Sequence, residues 1–239
     1  MPGEAVPIAT GVWRIPTLGR SAINSFAFED DDGSVTLVDA GLRGATGGLV
    51  RALASIGKEP RDVRRILLTH AHFDHTGGAA RLRAKTGARV HVHESDVDFV
   101  RLGRRPPVSA GRPLARVLAH ATMAPPRCPV DVTFAEGDVI PVAGGIRVLH
   151  TPGHTPGHAS FLHQRSGVLV TGDALFNFFD RIAYSFALFC SDFRMSEETA
   201  DRLAEVEYEV AAFTHGPPIF DNARETVRAF LERRLRRDR

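Results

Sequence analysis

One stretch of ten residues carries the strongest chemical signal in the sequence. It reads THAHFDHTGG over residues 69–78 and directly follows the apolar run ILL. In extended backbone, side chains two residues apart share a face, so His70 and His72 can hold one cation together. Asp74 and His75 follow where the chain turns, and we expect them to point at a second cation beside the first. Imidazole and carboxylate ligands suit zinc, and also iron or manganese.

Further candidate ligands lie at the ends of other apolar runs. His154 lies in the Pro/Gly-rich turn TPGHTPGH, Asp173 ends the run GVLVTGD, and His215 lies near the end of VAAFTHG. Polar residues at strand ends meet at one rim of a sheet, which is where α/β proteins build their sites. We therefore expect these three side chains to complete the coordination of the same cations.

Short apolar runs separated by turn residues indicate the strands that position these side chains. The predicted strands cover residues 12–15, 23–28, 34–41, 64–70, 88–94, 146–151, 158–163, 167–173 and 210–216. Apolar residues at helical spacing predict helices over residues 45–56, 77–87, about 196–207 and about 222–236. Clusters of strands with helices between them predict sheets that are covered by helices on their outer faces.

In order along nearly the whole chain, these motifs resemble those of the metallo-β-lactamase-fold hydrolase superfamily. The resemblance implies an α/β (α+β) fold, a four-layer αββα sandwich forming a single domain over residues 1–239, with two metals at the edge of its sheets. It implies that one metal is held by His70, His72 and His154. It implies that the other is held by Asp74, His75 and His215, with Asp173 bridging both.

Two further residues take supporting roles under this resemblance. Asp39, in LVDAG, matches the family's early aspartate, which supports the ligands from behind. Carboxylates in that position fix the tautomer of a ligating histidine. Because the ligand set is already full, we expect His158 to support the site rather than to act on the substrate.

The implied reaction is metal-assisted hydrolysis of a thioester, an ester or a lactone. A hydroxide bridging two Zn²⁺ ions would be the nucleophile, because metal-bound water loses a proton near neutral pH and the cations polarise the substrate oxygen. Iron or manganese remain alternatives to zinc. Asp74 and Asp173 are the catalytic candidates, Asp74 because it could also orient the attacking water. The sequence has no Gly-x-Ser-x-Gly motif that would indicate a serine nucleophile.

Differences from the sequence motifs of particular subfamilies narrow the range of expected substrates. Asp173 stands where the best-known antibiotic-hydrolysing members place Cys or a non-ligand, which argues against β-lactamase activity. The stretch TGDALF resembles glyoxalase II-like proteins, but we expect no glutathione-binding helical domain after the helix that follows His215. Phe176 replaces the Tyr that acyl-homoserine lactonases carry shortly after the bridging Asp.

Other functions stay open at this point. A mono-iron sulfur dioxygenase of the same fold would use a subset of the same ligands, and one iron per chain would reveal it. A phosphodiesterase or nuclease is a further alternative, although a tRNA-processing nuclease would be expected to carry an extended basic arm, and none is visible. A non-catalytic binding protein built on a decayed site is disfavoured by the complete ligand set.

Two segments lie outside this regular pattern, and we predict that they are insertions over the site. Residues 103–129 are rich in Arg and Pro, with a helix-like stretch between two Pro pairs, and residues 174–195 hold six of the fifteen Phe. We expect the two segments to wall an apolar pocket above the metals, in which Phe176 and Phe179 contact the substrate. Core packing or a homodimer interface is the alternative role for the Phe-rich segment.

Composition excludes several classes of protein. The 239 residues are 43% hydrophobic and 24% charged, as in ordinary folded proteins. A net charge of +2 gives no electrostatic signal for nucleic acid, and no apolar run approaches the length of a membrane span. No signal peptide is visible, and Cys128 and Cys190 cannot form a disulfide framework. We expect a cytoplasmic protein that acts on a small molecule.

Overall fold

A computed structural model describes residues 3–109 and 124–237, with the side chains of the last helix through Arg234. Two large sheets and one hairpin contain the strands of the described chain. The first sheet has seven strands in sequence order: β1 (Val6–Ala9), β2 (Val12–Leu18), β3 (Ile23–Glu29), β4 (Val35–Val38), β5 (Val63–Leu67), β6 (Arg89–His93) and β7 (Val132–Phe134). The other strands are β8 (Val139–Ile140), β9 (Ile146–His150), β10 (Ala159–His163), β11 (Val168–Val170), β12 (Leu175–Phe178), β13 (Arg181–Tyr184) and β14 (Val210–Ala212).

The parallel strands of the two sheets bring the chemical motifs to one edge. In the first sheet β1–β4 form an antiparallel meander, and β4–β7 then run parallel to one another. The second sheet has the order β14-β11-β10-β9-β8, and its only parallel pair is β11 with β14. As a result, the strand ends that precede Asp39 and His70 meet the strand ends that precede Asp173 and His215.

Helices cover the outer faces of both sheets. Those of the described residues are α1 (Thr46–Ser55), α2 (Phe73–Thr76), α3 (Ala79–Thr86), α4 (Val97–Leu102), α5 (Phe193–Ala200) and α6 (Ala223–Arg237). Leu49 of α1, Leu82 of α3 and Val100 of α4 are buried in the core that covers the first sheet. Ala200 of α5 and Val227 of α6 are buried in the core that covers the second. No helix among the described residues is long and apolar enough to cross a membrane.

The alternation of side chains along the strands produces the central core. In β3, Phe26 and Phe28 are fully buried between the two sheets, whereas Ala27 between them joins the core beneath the helices. Phe161 and Val170 of the second sheet pack against the same inner space. This period of two is what a sheet buried on both faces requires. The order of layers is therefore helix, sheet, sheet, helix, and the predicted αββα sandwich is confirmed.

All nine predicted strands occur, and the main error concerns one helix. The predicted helix over residues 196–207 is instead α5 followed by a 3₁₀ turn over Asp201–Glu205. It begins earlier because the Asp192 side chain accepts a hydrogen bond from the Met195 N–H at 3.0 Å and caps the first turn. Strands β1, β7, β8, β12 and β13 were not predicted, because each is short and carries no long apolar run.

The two segments that we predicted as insertions contact each other. The Ser109 N–H donates to the Cys190 carbonyl at 3.1 Å, and the Ser191 hydroxyl donates to the Pro107 carbonyl at 2.6 Å. Residues 174–195 also contain the hairpin of β12 and β13. The helix-like stretch predicted between the two Pro pairs lies within residues 110–123, outside the described residues.

Candidate metal centre

The structure gathers the seven predicted ligand residues at one edge of the two sheets. They form three overlapping groups, and within each group the ligand atoms all lie within 4.8 Å of one another. The groups are His70 with His72 and His154, His70 with His75 and Asp173, and Asp74 with His75 and His215. Asp74 and His215 are half-buried, and the other five residues are buried.

Asp173 lies at the centre of the cluster and contacts both ends of it. Its Oδ2 is 3.2 Å from Nε2 of His154, which belongs to the first group. Its Oδ1 is 3.3 Å from Nε2 of His75 and 3.4 Å from Nε2 of His215, which belong to the third group. The Thr214 hydroxyl donates to the same Oδ1 at 2.8 Å and fixes the carboxylate. The two oxygens thus face two different sets of nitrogens.

Besides His70, three of the cluster histidines have an oxygen partner on the ring nitrogen that faces away from the centre. Nδ1 of His75 is 2.8 Å from Oδ2 of Asp39, and Nδ1 of His154 is 2.8 Å from the Ser185 hydroxyl oxygen. Nδ1 of His215 is 2.7 Å from the carbonyl oxygen of Ala22. A neutral imidazole that donates from one nitrogen presents a lone pair at the other. The Asp39 carboxylate and the Ala22 carbonyl can only accept, so in neutral His75 and His215 the lone pair is at Nε2, which faces the cluster. The Ser185 hydroxyl is compatible with the same tautomer in His154.

His70 and His72 supply the observation that most directly indicates a cation. Nε2 of His70 is buried without a hydrogen-bond partner, and Nδ1 of His72 is 2.8 Å from Nε2 of His154. Buried polar atoms are rarely left without a partner. Three converging imidazole nitrogens form a set that one divalent metal satisfies. The residues present therefore fit a metal ion.

Asp39 sets the orientation of two rings at once. Its two oxygens accept from the N–H and the hydroxyl of Thr69, each at 2.8 Å, and Oδ2 also faces His75. With its proton committed to Asp39, the Thr69 oxygen can accept from Nδ1 of His70 at 3.0 Å. Asp39 occupies left-handed backbone, with φ of 61°, which Asp tolerates better than most residues.

His158 supports the backbone of Asp173 and is not part of the ligand groups. The Asp173 N–H donates to Nε2 of His158 at 2.7 Å, so that nitrogen is an acceptor. Its Nδ1 is 3.0 Å from the carbonyl of Thr151, to which it donates. A side chain at Gly172 would meet Nε2 of His158 at 2.5 Å, in a backbone with φ of 57°. Glycine at this position lets the ring approach the strand end that carries Asp173.

Asp96 is a buried residue of this site that the sequence analysis missed. Its carboxylate accepts from the Ala71 N–H at 2.9 Å, the Gly157 N–H at 2.7 Å and the Thr155 hydroxyl at 2.6 Å. It thereby ties the loop that carries His70 and His72 to the turn that carries His154. Burial raises the pKa of this carboxyl. An acidic residue just after the strand β6 was the only signal available in the sequence.

Burial and neighbouring charges shift the pKa values of the cluster residues in opposite directions. Burial lowers the pKa of His72 to about 3, and it holds the pKa of His70 well below the ordinary value. Burial also lowers the pKa of His154, but the Asp173 carboxylate outweighs it and raises the value to about 9. Burial raises the pKa of Asp74, but the charge of His75 outweighs it and lowers the value to about 2. The carboxylates are therefore ionised at neutral pH and attract a cation.

A cavity of about 230 Å³ opens directly above the cluster. Its lining combines cluster residues with five phenylalanines: His72, Asp74, His154, Asp173, His215, Phe73, Phe176, Phe178, Phe186 and Phe189. The Phe-rich segment thus lines an apolar pocket, as predicted, and Phe176 is part of it. The prediction for Phe179 is wrong, because its side chain is 95% exposed at the turn of the hairpin. The described residues of the segment 103–129 do not line this cavity.

Comparison with known protein families identifies the family to which this chain belongs. A family model for the Metallo-beta-lactamase superfamily matches residues 18–215. The chain therefore belongs to the metallo-beta-lactamase superfamily, as its motifs predicted. It is 29% identical over 207 residues to the probable metallo-hydrolase YflN of Bacillus subtilis (strain 168), covering 78% of this chain and 76% of YflN.

Other relatives match over shorter spans. The uncharacterized protein YobT of Bacillus subtilis (strain 168) is 35% identical over 162 residues, which are 64% of this chain and 61% of YobT. A hydroxyacylglutathione hydrolase of Cereibacter sphaeroides (strain ATCC 17023) is 36% identical over 130 residues, which are 54% of this chain and 39% of that protein. The chain thus spans about three fifths and two fifths of the lengths of these two relatives.

Solved structures share the fold over almost the whole chain. The metallo-beta-lactamase family protein TTHA1429 from Thermus thermophilus superposes with a TM-score of 0.70 at 31% identity, covering 97% of this chain and 82% of TTHA1429. The FEZ-1 metallo-beta-lactamase from Legionella gormanii superposes with a TM-score of 0.75 at 15% identity, covering 99% of this chain and 95% of FEZ-1. The second likeness concerns the fold alone.

Proposed function

We propose that this chain is a hydrolase that binds two zinc ions and cleaves a thioester, an ester or a lactone. The observation that carries the proposal is the position of Asp173, whose two oxygens face two different sets of histidine nitrogens. A carboxylate placed in this way suits a pair of cations better than a single one. Imidazole nitrogens and carboxylate oxygens are ordinary zinc ligands.

Each ion has its own set of residues. His70, His72 and His154 would hold one ion, and Asp74, His75 and His215 would hold the other, with Asp173 shared. When bound, two such cations supply a water that is acidic near neutral pH and a Lewis acid for the substrate oxygen. The chain itself positions the ligand rings, because Asp39 and the Ala22 carbonyl fix the tautomers of His75 and His215, and the Ser185 hydroxyl holds the ring of His154.

Asp74 is the residue that we assign to orienting the attacking water. It lines the cavity, and its side chain is 18% exposed, so it is accessible from the side on which substrate enters. Its Oδ2 is 3.5 Å from Nε2 of both His75 and His215, which holds the carboxylate at the edge of the cluster. The pKa of about 2 keeps it ionised, so it accepts a hydrogen bond and does not act as an acid.

Two observations favour a thioester among these substrates. The stretch TGDALF, which ends at Phe176, resembles glyoxalase II-like proteins, and hydroxyacylglutathione hydrolases are among the relatives. A nuclease is disfavoured, because the described lining of the cavity is phenylalanine, histidine and carboxylate and offers no Lys or Arg to a phosphate backbone.

The experiment is metal exchange followed by two assays on the same samples. Protein stripped by a chelator is reloaded with zinc, manganese or iron, then tested for hydrolysis of neutral thioesters, esters and lactones and for oxygen uptake with a persulfide. We expect zinc or manganese to restore hydrolysis of at least one ester-type substrate and no sample to consume oxygen. Oxygen uptake restored by iron alone would contradict the proposal and support the mono-iron dioxygenase.

A further inference from the structure

We infer that four phenylalanines above the cluster bind an uncharged, apolar acyl group of the substrate. The phenylalanine wall is defined as Phe176, Phe178, Phe186 and Phe189, all of which line the cavity. The inference rests on the proposed hydrolase function and adds the chemical class of the group next to the bond that is cleaved.

The wall begins at the cluster itself. The ring of Phe176 is 4.8 Å from the ring of His215, and the ring of Phe178 is 6.4 Å from it. Phe176 and Phe178 lie two residues apart on β12 and contact each other at 5.3 Å between ring centres. A group packed against these rings would therefore lie next to a carbonyl held at the cluster.

The wall continues outward through the segment that also supports a ligand. Phe186 stacks on Phe178 at 6.0 Å and contacts Phe189 at 6.3 Å. Between Phe186 and the hairpin, the Ser185 hydroxyl contacts Nδ1 of His154 at 2.8 Å. The rings and the cluster are therefore held in one fixed arrangement. Phe186 is 53% exposed, so an apolar ligand at the mouth of the cavity would cover it and gain hydrophobic free energy.

The charges of the lining select a neutral group. Among the described residues that line the cavity, the acidic side chains are Asp74 and Asp173, and there is no Lys or Arg. A carboxylate on the acyl group would therefore enter an apolar space with no Lys or Arg side chain to pair with it. Both carboxylates belong to the metal cluster, and the rest of the described lining is histidine and phenylalanine.

The cavity is too small to enclose a whole substrate, so we assign it to the acyl group, the smaller part. About 230 Å³ is below the roughly 300–1,000 Å³ of pockets that enclose a whole drug-sized ligand. Phe176 is only 3% exposed, so it is the most deeply buried ring of the wall. The acyl group then fills the cavity, and the larger alcohol or thiol part extends through the mouth toward solvent.

A binding series tests this inference without turnover. Straight-chain acyl hydroxamates chelate metal through their head group, and they can be made from acetyl to octanoyl. Calorimetry on the zinc-loaded protein should show Kd falling about fourfold for each added methylene until the cavity is filled. A hydroxamate of similar length that ends in a carboxylate should bind at least tenfold more weakly than its neutral counterpart.

Variants identify the residues that produce this dependence. Phe178→Ala and Phe186→Ala should each reduce the gain per methylene to less than about twofold, and Phe186 is exposed enough for its loss to leave the fold intact. Phe179→Ala is the matched control, because this neighbouring phenylalanine is 95% exposed and outside the cavity. We expect it to retain the full dependence on chain length.

The outcomes separate this inference from the proposed function. A Kd that does not change along the neutral series, or equal binding of the anionic analogue, would overturn the inference even if thioesters or esters are hydrolysed. A clear dependence on chain length in a protein that hydrolyses none of them would support the inference and contradict the proposed function. Loss of the dependence in Phe179→Ala would also count against the wall as defined.

Discussion

Two buried carboxylates, Asp39 and Asp96, hold the cluster from different sides, and they hold different kinds of group. Asp39 faces a ring nitrogen of His75 and both donors of Thr69. Asp96 accepts from two backbone N–H groups and one hydroxyl, and it contacts none of the predicted ligand side chains by hydrogen bond. Asp39 thus fixes which ring nitrogen of a ligating histidine faces the centre of the cluster. Asp96 instead fixes the positions of the two loops that carry ligating histidines.

The difference follows from their places in the fold. Asp39 comes just after β4 and acts on residues that follow the neighbouring strand β5, so its contacts stay within the first sheet. Asp96 comes just after β6 and reaches the turn between β9 and β10, so its contacts join the two sheets. A site built from two sheets needs both contributions. Histidines in the correct tautomer bind a metal only if the loops that carry them are also correctly placed.

The largest effect is expected at Asp173, the carboxylate that we propose is shared between two cations, rather than at Asp39 or Asp96. Asp173→Ala removes the one side chain that faces both sets of nitrogens. Since a metal ion supplies several kcal/mol of transition-state stabilisation, we expect kcat/KM to fall about 1,000-fold or more and one metal per chain to be lost. Asp221→Ala, at an exposed position, is the control and should change neither quantity. A fully active Asp173→Ala variant would contradict the two-metal site.

The Asp39→Asn variant tests whether Asp39 fixes the tautomer of His75. The amide nitrogen would face Nδ1 of His75, so this ring would have to carry its proton on Nε2, the nitrogen that faces the cluster. We expect metal affinity to fall about 10- to 100-fold, measured by competition with a chromophoric chelator. The melting temperature of the metal-free protein should change little, because Oδ1 can still accept from the Thr69 N–H. Unchanged metal affinity would refute the role of Asp39.

The Asp96→Asn variant tests whether Asp96 holds the two ligand-carrying loops in position. An amide can satisfy only part of the three donors, so at least one buried N–H of Ala71 or Gly157 loses its acceptor. We expect the free energy of unfolding of the metal-free protein to fall by about 2 kcal/mol in urea titrations. The loss should be present without metal, in contrast to Asp39→Asn. A variant with normal apo stability and weakened metal binding would remove the distinction between the two carboxylates.

Asp131 provides a third carboxylate remote from the ligands, with the smallest expected effect. It pairs with Arg83 through two contacts of 2.7 and 3.0 Å and accepts from the Val90 N–H at 2.8 Å. The hydrogen bond from Arg83 lowers the pKa of Asp131 to about 2. Because the pair is partly exposed, we expect Asp131→Asn to cost about 1 kcal/mol at most.

The pH dependence of that variant has a definite sign. A carboxyl whose folded pKa lies below its unfolded value of about 3.9 stabilises the protein above that value and loses the effect as pH falls toward 2. The difference in unfolding free energy between wild type and Asp131→Asn should therefore be present at pH 7 and largely gone near about pH 2. A difference that grows on acidification would show that the ion pair is not its source.

The sequence predicted the ligand groups better than the groups that hold them. His70, His72, Asp74 and His75 lie in one short motif, so their spacing alone indicated a shared site. Asp96 could not be found in this way, because two of its three donors are backbone N–H groups, which leave no pattern in a sequence.

The same limit applies to the wall of the cavity. Composition indicated that the Phe-rich segment is special, but it could not say which rings face the cluster. Phe178 and Phe179 are neighbours in sequence, yet one lines the cavity and the other is at the exposed turn of the hairpin. That difference depends on where β12 ends, and its end was not visible in the apolar pattern.

The number and identity of metal ions per chain decide whether Asp173 is shared between two cations. Elemental analysis of protein purified without added metal, with the Asp173→Ala variant alongside, requires no knowledge of the substrate. We predict about two zinc ions per chain in the wild type and about one in the variant. A single ion in the wild type, above all a single iron, would contradict the two-metal hydrolase.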